Sequence, residues 1–156
     1  MIRRLLWGAA VLAAWLAALW RCPADLLLLL LLAWAFAHRA PPAPLGPLWV
    51  GACLGGMKDL ASSGPMGIWL VVFAATAWMA TRIAGIIARD HPVPQLLWVG
   101  LFAAGTTVAY ALLLGARGAW PMAGPLVVYW AVPSAVVTAL ASLALFPLLR
   151  RLRAAP

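Results

Sequence analysis

Lys58 and Asp59 stand side by side in a chain that has three aspartates, two histidines, and neither glutamate nor asparagine. With Asp25, they are the residues that could carry acid–base, proton-relay or ion-binding chemistry, provided the fold brings them together. They lie within Gly51-Ala52-Cys53-Leu54-Gly55-Gly56-Met57-Lys58-Asp59-Leu60-Ala61-Ser62-Ser63-Gly64-Pro65-Met66-Gly67, between two apolar runs. A Lys or Asp at the centre of a hydrocarbon layer costs about 2.5–3.5 kcal/mol on insertion scales, whereas Leu gains a few tenths. The segment is therefore either a loop at a membrane surface or a buried polar site. Successive helical residues point about 100° apart, so Lys58 and Asp59 are not expected to pair with each other.

Catalysis is not expected. His, Asp and Ser do not share one side of the layout at a spacing suited to nucleophilic work, and His and Cys do not cluster at zinc spacing. His91, in the turn Arg89-Asp90-His91-Pro92-Val93-Pro94, reads as a solvated loop residue, and Cys22 and Cys53 as free thiols in apolar packing. No cofactor or metal is implied. Asp59 is expected to act as a cap, either of the Ser62-Ser63-Gly64 turn or of the helix that follows it. Asp25, just after Pro23, suits the positive end of the next helix.

The elements that must position these groups follow from composition. The chain has 156 residues, 67% apolar and 9% charged, against roughly 45–50% and 25% in soluble domains. Runs free of Lys, Arg, Asp and Glu occupy 5–20, 26–38, 40–57, 60–81, 91–116 and 118–149. A helix needs around 20 residues to cross a bilayer core, so the last three cross readily and the first three need tilt or thinning. The fold class expected is an all-α polytopic membrane protein of about six transmembrane helices, one domain over 1–156. The net charge of +8 does not read as a nucleic-acid surface, because the basic residues are scattered at helix ends. With a cytoplasmic N-terminus, inner segments carry Arg3, Arg4, Arg39, Arg82, Arg89, Arg150, Arg151 and Arg153, and outer ones only Arg21, Lys58 and Arg117. That bias places both termini in the cytoplasm. Met1-Ile2-Arg3-Arg4 and the apolar run after it read as an uncleaved first helix.

Helices are expected at approximately Leu5–Trp20, from Leu26, at Leu48–Met57, Met66–Ala88, Gln95–Leu114 and Pro125–Leu149, the last kinked at Pro133. The seven leucines Leu26–Leu32 favour no partner and are expected to face lipid. Ala40-Pro41-Pro42-Ala43-Pro44-Leu45-Gly46-Pro47 should be a semi-rigid cytoplasmic connection. Leu48–Met57 is short enough to be a half-crossing, and Gly51-x-x-x-Gly55 suits close internal packing. Ala74, Ala77, Thr81 and Ala84 form one small-residue face; Ser134, Thr138 and Ser142 form another, the favoured groove for a partner helix. Trp20, Trp49, Trp69, Trp98 and Trp120 fit an interfacial belt.

The central segment, with its glycines, Asp-Leu, Ser/Gly turn and Pro-x-Gly, resembles that of the bacterial rod-shape-determining protein MreD family. The resemblance falls on Gly55, Asp59, Leu60, Gly64, Pro65 and Gly67, which with Gly51 make up the expected structural motif, and the length and helix layout match along most of the chain. Lys58 departs from the family, where an apolar residue is more typical before the Asp. The resemblance implies a non-catalytic scaffold of the inner-membrane machinery that elongates the peptidoglycan side wall and maintains cell shape. The implied partners are an MreC-like bitopic protein and, directly or through it, a wall-building glycosyltransferase, a class B penicillin-binding protein and MreB filaments. The family's architecture also looks like the six-helix substrate-binding subunit of energy-coupling-factor vitamin transporters, which is the alternative function. Such a subunit needs convergent polar side chains near its outer face. This chain offers Asp59, Ser62, Ser63, Trp69 and Tyr129, with Gln95 on the opposite side.

Overall fold

The computed structural model describes residues 9, 10, 12–14, 25–37, 45–62, 64–84 and 92–154. The expected first helix, the return Arg21-Cys22-Pro23, the prolines at 41, 42 and 44, Ser63 and the turn through His91 fall wholly or mostly outside them. The elements among the described residues are all helical: α1 (Leu26–Ala37), α2 (Gly46–Ala61), α3 (Ile68–Ile83), α4 (Pro92–Leu114), α5 (Trp120–Leu126) and α6 (Val132–Ala154). Two segments, Val93–Ala119 and Ala123–Pro147, are long and apolar enough to cross a membrane.

The leucine run does not face outward. Leu27 to Leu32 are buried, and α1 touches α2, α3, α4 and α6. A helix that is apolar on every side has no face to give to solvent or to a single neighbour, so it suits the centre of a bundle. Phe36 at its C-terminal end meets Phe146 of α6 edge-on, with ring centroids 6.2 Å apart.

α2 is longer than the Leu48–Met57 expected and carries Lys58 and Asp59 within its last turn, so these residues are helical rather than in a loop. It starts at Gly46 because Pro47 falls in the first turn, where a missing N–H costs nothing. At 16 residues it is about 24 Å long, as is α3. The two form a hairpin of closely packed helices. A Cβ on Gly51 would lie 2.7 Å from Ala74 Cα, and one on Gly55 2.7 Å from Leu70 Cα, each also meeting a backbone carbonyl of α3. The small-residue face of α3 is used here and against the core: Ala77 and Ala84 are buried, and Ala74 lies against Gly51.

α4 begins at Pro92, three residues before the expected Gln95, again with prolines confined to its first turn. It continues into a π-helical turn, Gly115–Ala119, which breaks at Gly118 (φ 89°). The chain resumes helix at Trp120 rather than near Pro125. The irregularity expected at Pro133 sits just before it, as a second π-helical turn, Val127–Ala131. The ring of Pro133 collides with the carbonyl four residues earlier, that of Tyr129, and widening the turn there relieves the clash. α4 and α6 lie side by side, with a Cβ on Gly100 falling 3.7 Å from that of Ala139.

The proposed partner groove is an internal seam. Thr138 and Ser142 are fully buried and Ser134 half-buried, so the Ser134/Thr138/Ser142 stripe packs within the protein. Small polar residues suit a tight internal contact as well as an external one, and the central position of α1 draws this stripe inward.

The hairpin contact separates two adjacent glycines. Gly55→Ala should destabilise by about 1–3 kcal/mol or more, because a methyl must displace backbone. Gly56 has open space at its Cβ position, so Gly56→Ala should be neutral or stabilising by up to roughly 1 kcal/mol. Thermal unfolding of the two variants in detergent distinguishes these outcomes; equal losses would mean that the helices do not approach through Gly55.

Candidate functional site

The ionisable residues singled out above meet where the N-termini of α1 and α3 approach the C-terminus of α2. Asp25 precedes α1, and its Oδ1 accepts a hydrogen bond from the N–H of Leu28 at 3.1 Å, as an N-cap does. Its own N–H donates to Thr138 Oγ1 of α6 at 3.0 Å. Its other oxygen, Oδ2, forms an ion pair with Nζ of Lys58, from the last turn of α2. One carboxylate thus ties α1 to α2, and its backbone ties α1 to α6.

The Lys58 ammonium lies 3.7 Å from the centroid of the Trp69 ring and 5.1 Å from that of Phe73, both on α3. Trp69 stacks on Tyr110 of α4, with centroids 4.2 Å apart and planes inclined by 14°. Tyr110 and the ammonium must occupy opposite faces of the indole, since both cannot fit over one face at these distances. Trp69 also meets Phe73 edge-on at 5.9 Å. Cation–π contacts with Trp are the strongest of their kind, about 0.5–2 kcal/mol according to desolvation.

Asp59 turns away from Lys58, as adjacent helical positions require. It is 4% exposed, and its carboxylate caps α3: Oδ2 accepts from the N–H of Gly67 at 2.9 Å and Leu70 at 3.1 Å, and Oδ1 from Trp69 at 3.1 Å. A helix start carries N–H groups with no partner in the helix and a partial positive charge, and one carboxylate answers both. Of the two caps open from sequence, it makes the one at the helix start. Gly67 adopts φ 92°, a conformation that admits glycine readily and lets the chain double back onto Asp59. Gly64 sits under the Tyr110 hydroxyl, where a side chain would collide. On the rim, Arg117 Nη1 donates to the Met66 carbonyl at 3.4 Å.

The structure therefore gathers Gly51, Gly55, Asp59, Gly64 and Gly67 around one hairpin, while Leu60 and Pro65 point outward. Trp69, expected in an interfacial belt, is half-buried in the cluster; Trp49 and Trp120 are exposed. The Asp25–Lys58 pair spans 33 positions and the Asp25–Thr138 bond 113, so neither left a local signal. Of the residues on which a vitamin pocket would draw, Asp59 is committed to three backbone N–H groups and Tyr129 is 72% exposed. Among the described residues, no group of three His, Cys, Asp or Glu side chains could hold a metal ion.

In comparison with known proteins, the chain matches no family model, no curated protein and no solved structure.

The cap predicts a graded response at residue 59. Asp59→Asn keeps one acceptor oxygen and should lose part of the stability, whereas Asp59→Leu strands three N–H groups at about 1–3 kcal/mol each. Thermal unfolding should rank native above Asn above Leu. Equal loss in both would show that the charge, rather than the acceptor geometry, is what residue 59 supplies.

Proposed function

We propose that this protein is a non-catalytic scaffold subunit of the bacterial wall-elongation machinery, in the manner of the MreD family that its central segment resembles. One observation supports this reading above the others: four residues of the segment that carries the resemblance serve architecture. Gly51 and Gly55 hold two backbones together, Gly67 turns the chain, and Asp59 is spent on the start of α3. Acid–base work needs a carboxylate free to exchange a proton with a substrate, whereas a scaffold needs rigid helices with lipid-compatible outer faces. The exposed residues of α4 and α6 include Leu97, Leu101, Leu112, Val136 and Leu140, which suits such a face.

On this reading the chain crosses the bacterial inner membrane about six times, with both termini in the cytoplasm. The short helices α2 and α3 cross with local thinning or tilt. An MreC-like bitopic protein docks through its single helix on an outward face, since the Ser134/Thr138/Ser142 seam and most of the α3 small-residue face are occupied internally. The glycosyltransferase and the class B penicillin-binding protein join directly or through that partner.

Affinity-tagged protein should co-purify the MreC-like protein of the same cell from gently solubilised membranes, and depletion should round rod-shaped cells. Reporter fusions before Met1 and after Pro156 should both report cytoplasm. Failure to retain the partner, together with a stoichiometric vitamin-like ligand in the purified sample, would replace the scaffold with a transporter subunit.

A further inference from the structure

The surroundings of the Lys58 ammonium have the composition of a cation-binding box. A carboxylate oxygen of Asp25 supplies the counter-charge, the indole face of Trp69 stands at 3.7 Å, and Phe73 at 5.1 Å forms a second wall. The box is anchored independently of Lys58. Asp25 is held by Leu28 N–H and by Thr138, and Trp69 by its stack on Tyr110 and by the Asp59 bond to its backbone N–H. The side chains of Lys58 and Asp25 keep 18% and 13% of their exposure, so the box is desolvated without being sealed. Carboxylate plus aromatic faces is a combination that recognises ammonium ions in general, including ligand cations.

We propose that Asp25, Trp69 and Phe73 form a binding site for a primary ammonium group, and that Lys58 occupies it as a tethered ligand. The occupant sits on α2 while the walls come from the start of α1 and from α3, so filling the site adds a polar tie to the apolar contact between the leucine helix and the hairpin. The site recognises the charged head, and the lysine stem serves as its tether. This inference stands apart from the wall-scaffold reading and does not need it.

Chemical rescue tests it. Lys58→Ala keeps Cβ and removes Cγ to Nζ, a fragment that n-propylammonium replaces atom for atom. Purified Lys58→Ala protein should melt below the native protein, and n-propylammonium should raise its Tm in a saturable manner. Equal concentrations of n-propanol should not. Neither the native protein, whose site is filled, nor the Asp25→Asn/Lys58→Ala double variant, whose box lacks its counter-charge, should respond. Trp69 fluorescence, read in variants with the other tryptophans retained and referenced to Trp69→Leu, should titrate over the same amine range. If Lys58→Ala does not survive extraction, n-propylammonium is supplied from cell lysis onward and recovery of monodisperse protein becomes the readout. Absence of any amine-specific gain in Tm or recovery would overturn the proposal, as would an equal gain in the double variant. Loss of an MreC-like partner with rescue intact would bear on the scaffold alone.

Discussion

Three formal charges, Asp25, Lys58 and Asp59, are buried or partly buried in a helical body whose other buried residues, among those described, are uncharged, and each is answered within it. An isolated ion in such surroundings costs far more than its neighbours can recover through dispersion. The arrangement answers the charges in two ways. Asp25 and Lys58 cancel each other, and Asp59 is balanced by the positive end of α3. A buried ion pair often gains little net stability over apolar residues of the same shape. Its value here is registration: the Asp25–Lys58 pair fixes the placement of α1 against the hairpin, while the Asp59 cap fixes α2 against α3.

The glycines act on the same hairpin through a different term. On the membrane reading, a helix gains little by burying leucine against leucine, since the tails outside are as apolar as the residues within. What separates a specific contact from an accidental one is the closeness of approach and the pairing of polar groups. Gly51 and Gly55 allow contact at backbone distance along α2, and the Asp59 cap closes the same hairpin at its end. Close packing and capping therefore select one geometry together: a slip of α2 along α3 would both jam the backbones and uncouple the carboxylate.

Residues whose consequences are local were legible in the sequence. The close approach through Gly51-x-x-x-Gly55, the capping role of Asp59 and the failure of Lys58 and Asp59 to pair all follow from helical spacing and turn chemistry. Helix ends moved by a few residues where prolines were read as breakers but fell in first turns, as at Pro47 and Pro92. Long-range partners were not legible. Nothing near Lys58 announces Asp25, and nothing near Asp25 announces Thr138. Tyr110 of α4, 41 positions from Trp69, stacks on its indole, and its hydroxyl lies where a Cβ at residue 64 would fall.

The leucine helix and the threonine seam show why inside and outside are hard to separate in a chain of this kind. In a water-soluble protein, burial is written as a polar–apolar alternation, because one face of each helix must meet water. On the membrane reading both environments accept leucine, so Leu27–Leu32 carry no mark of their central position. The informative residues are instead the small and polar ones, and they report contact without reporting with whom. Thr138 illustrates this: its hydroxyl could have met a second protein's helix, and it meets Asp25 of its own chain. A polar group on an apolar helix must find a partner, and within one chain the nearest partner competes first, at the lower entropic cost of a tethered encounter. Small-polar stripes in membrane helices are therefore better evidence for a contact within the chain than for an interface between chains, unless the chain's own unpaired donors have already been accounted for.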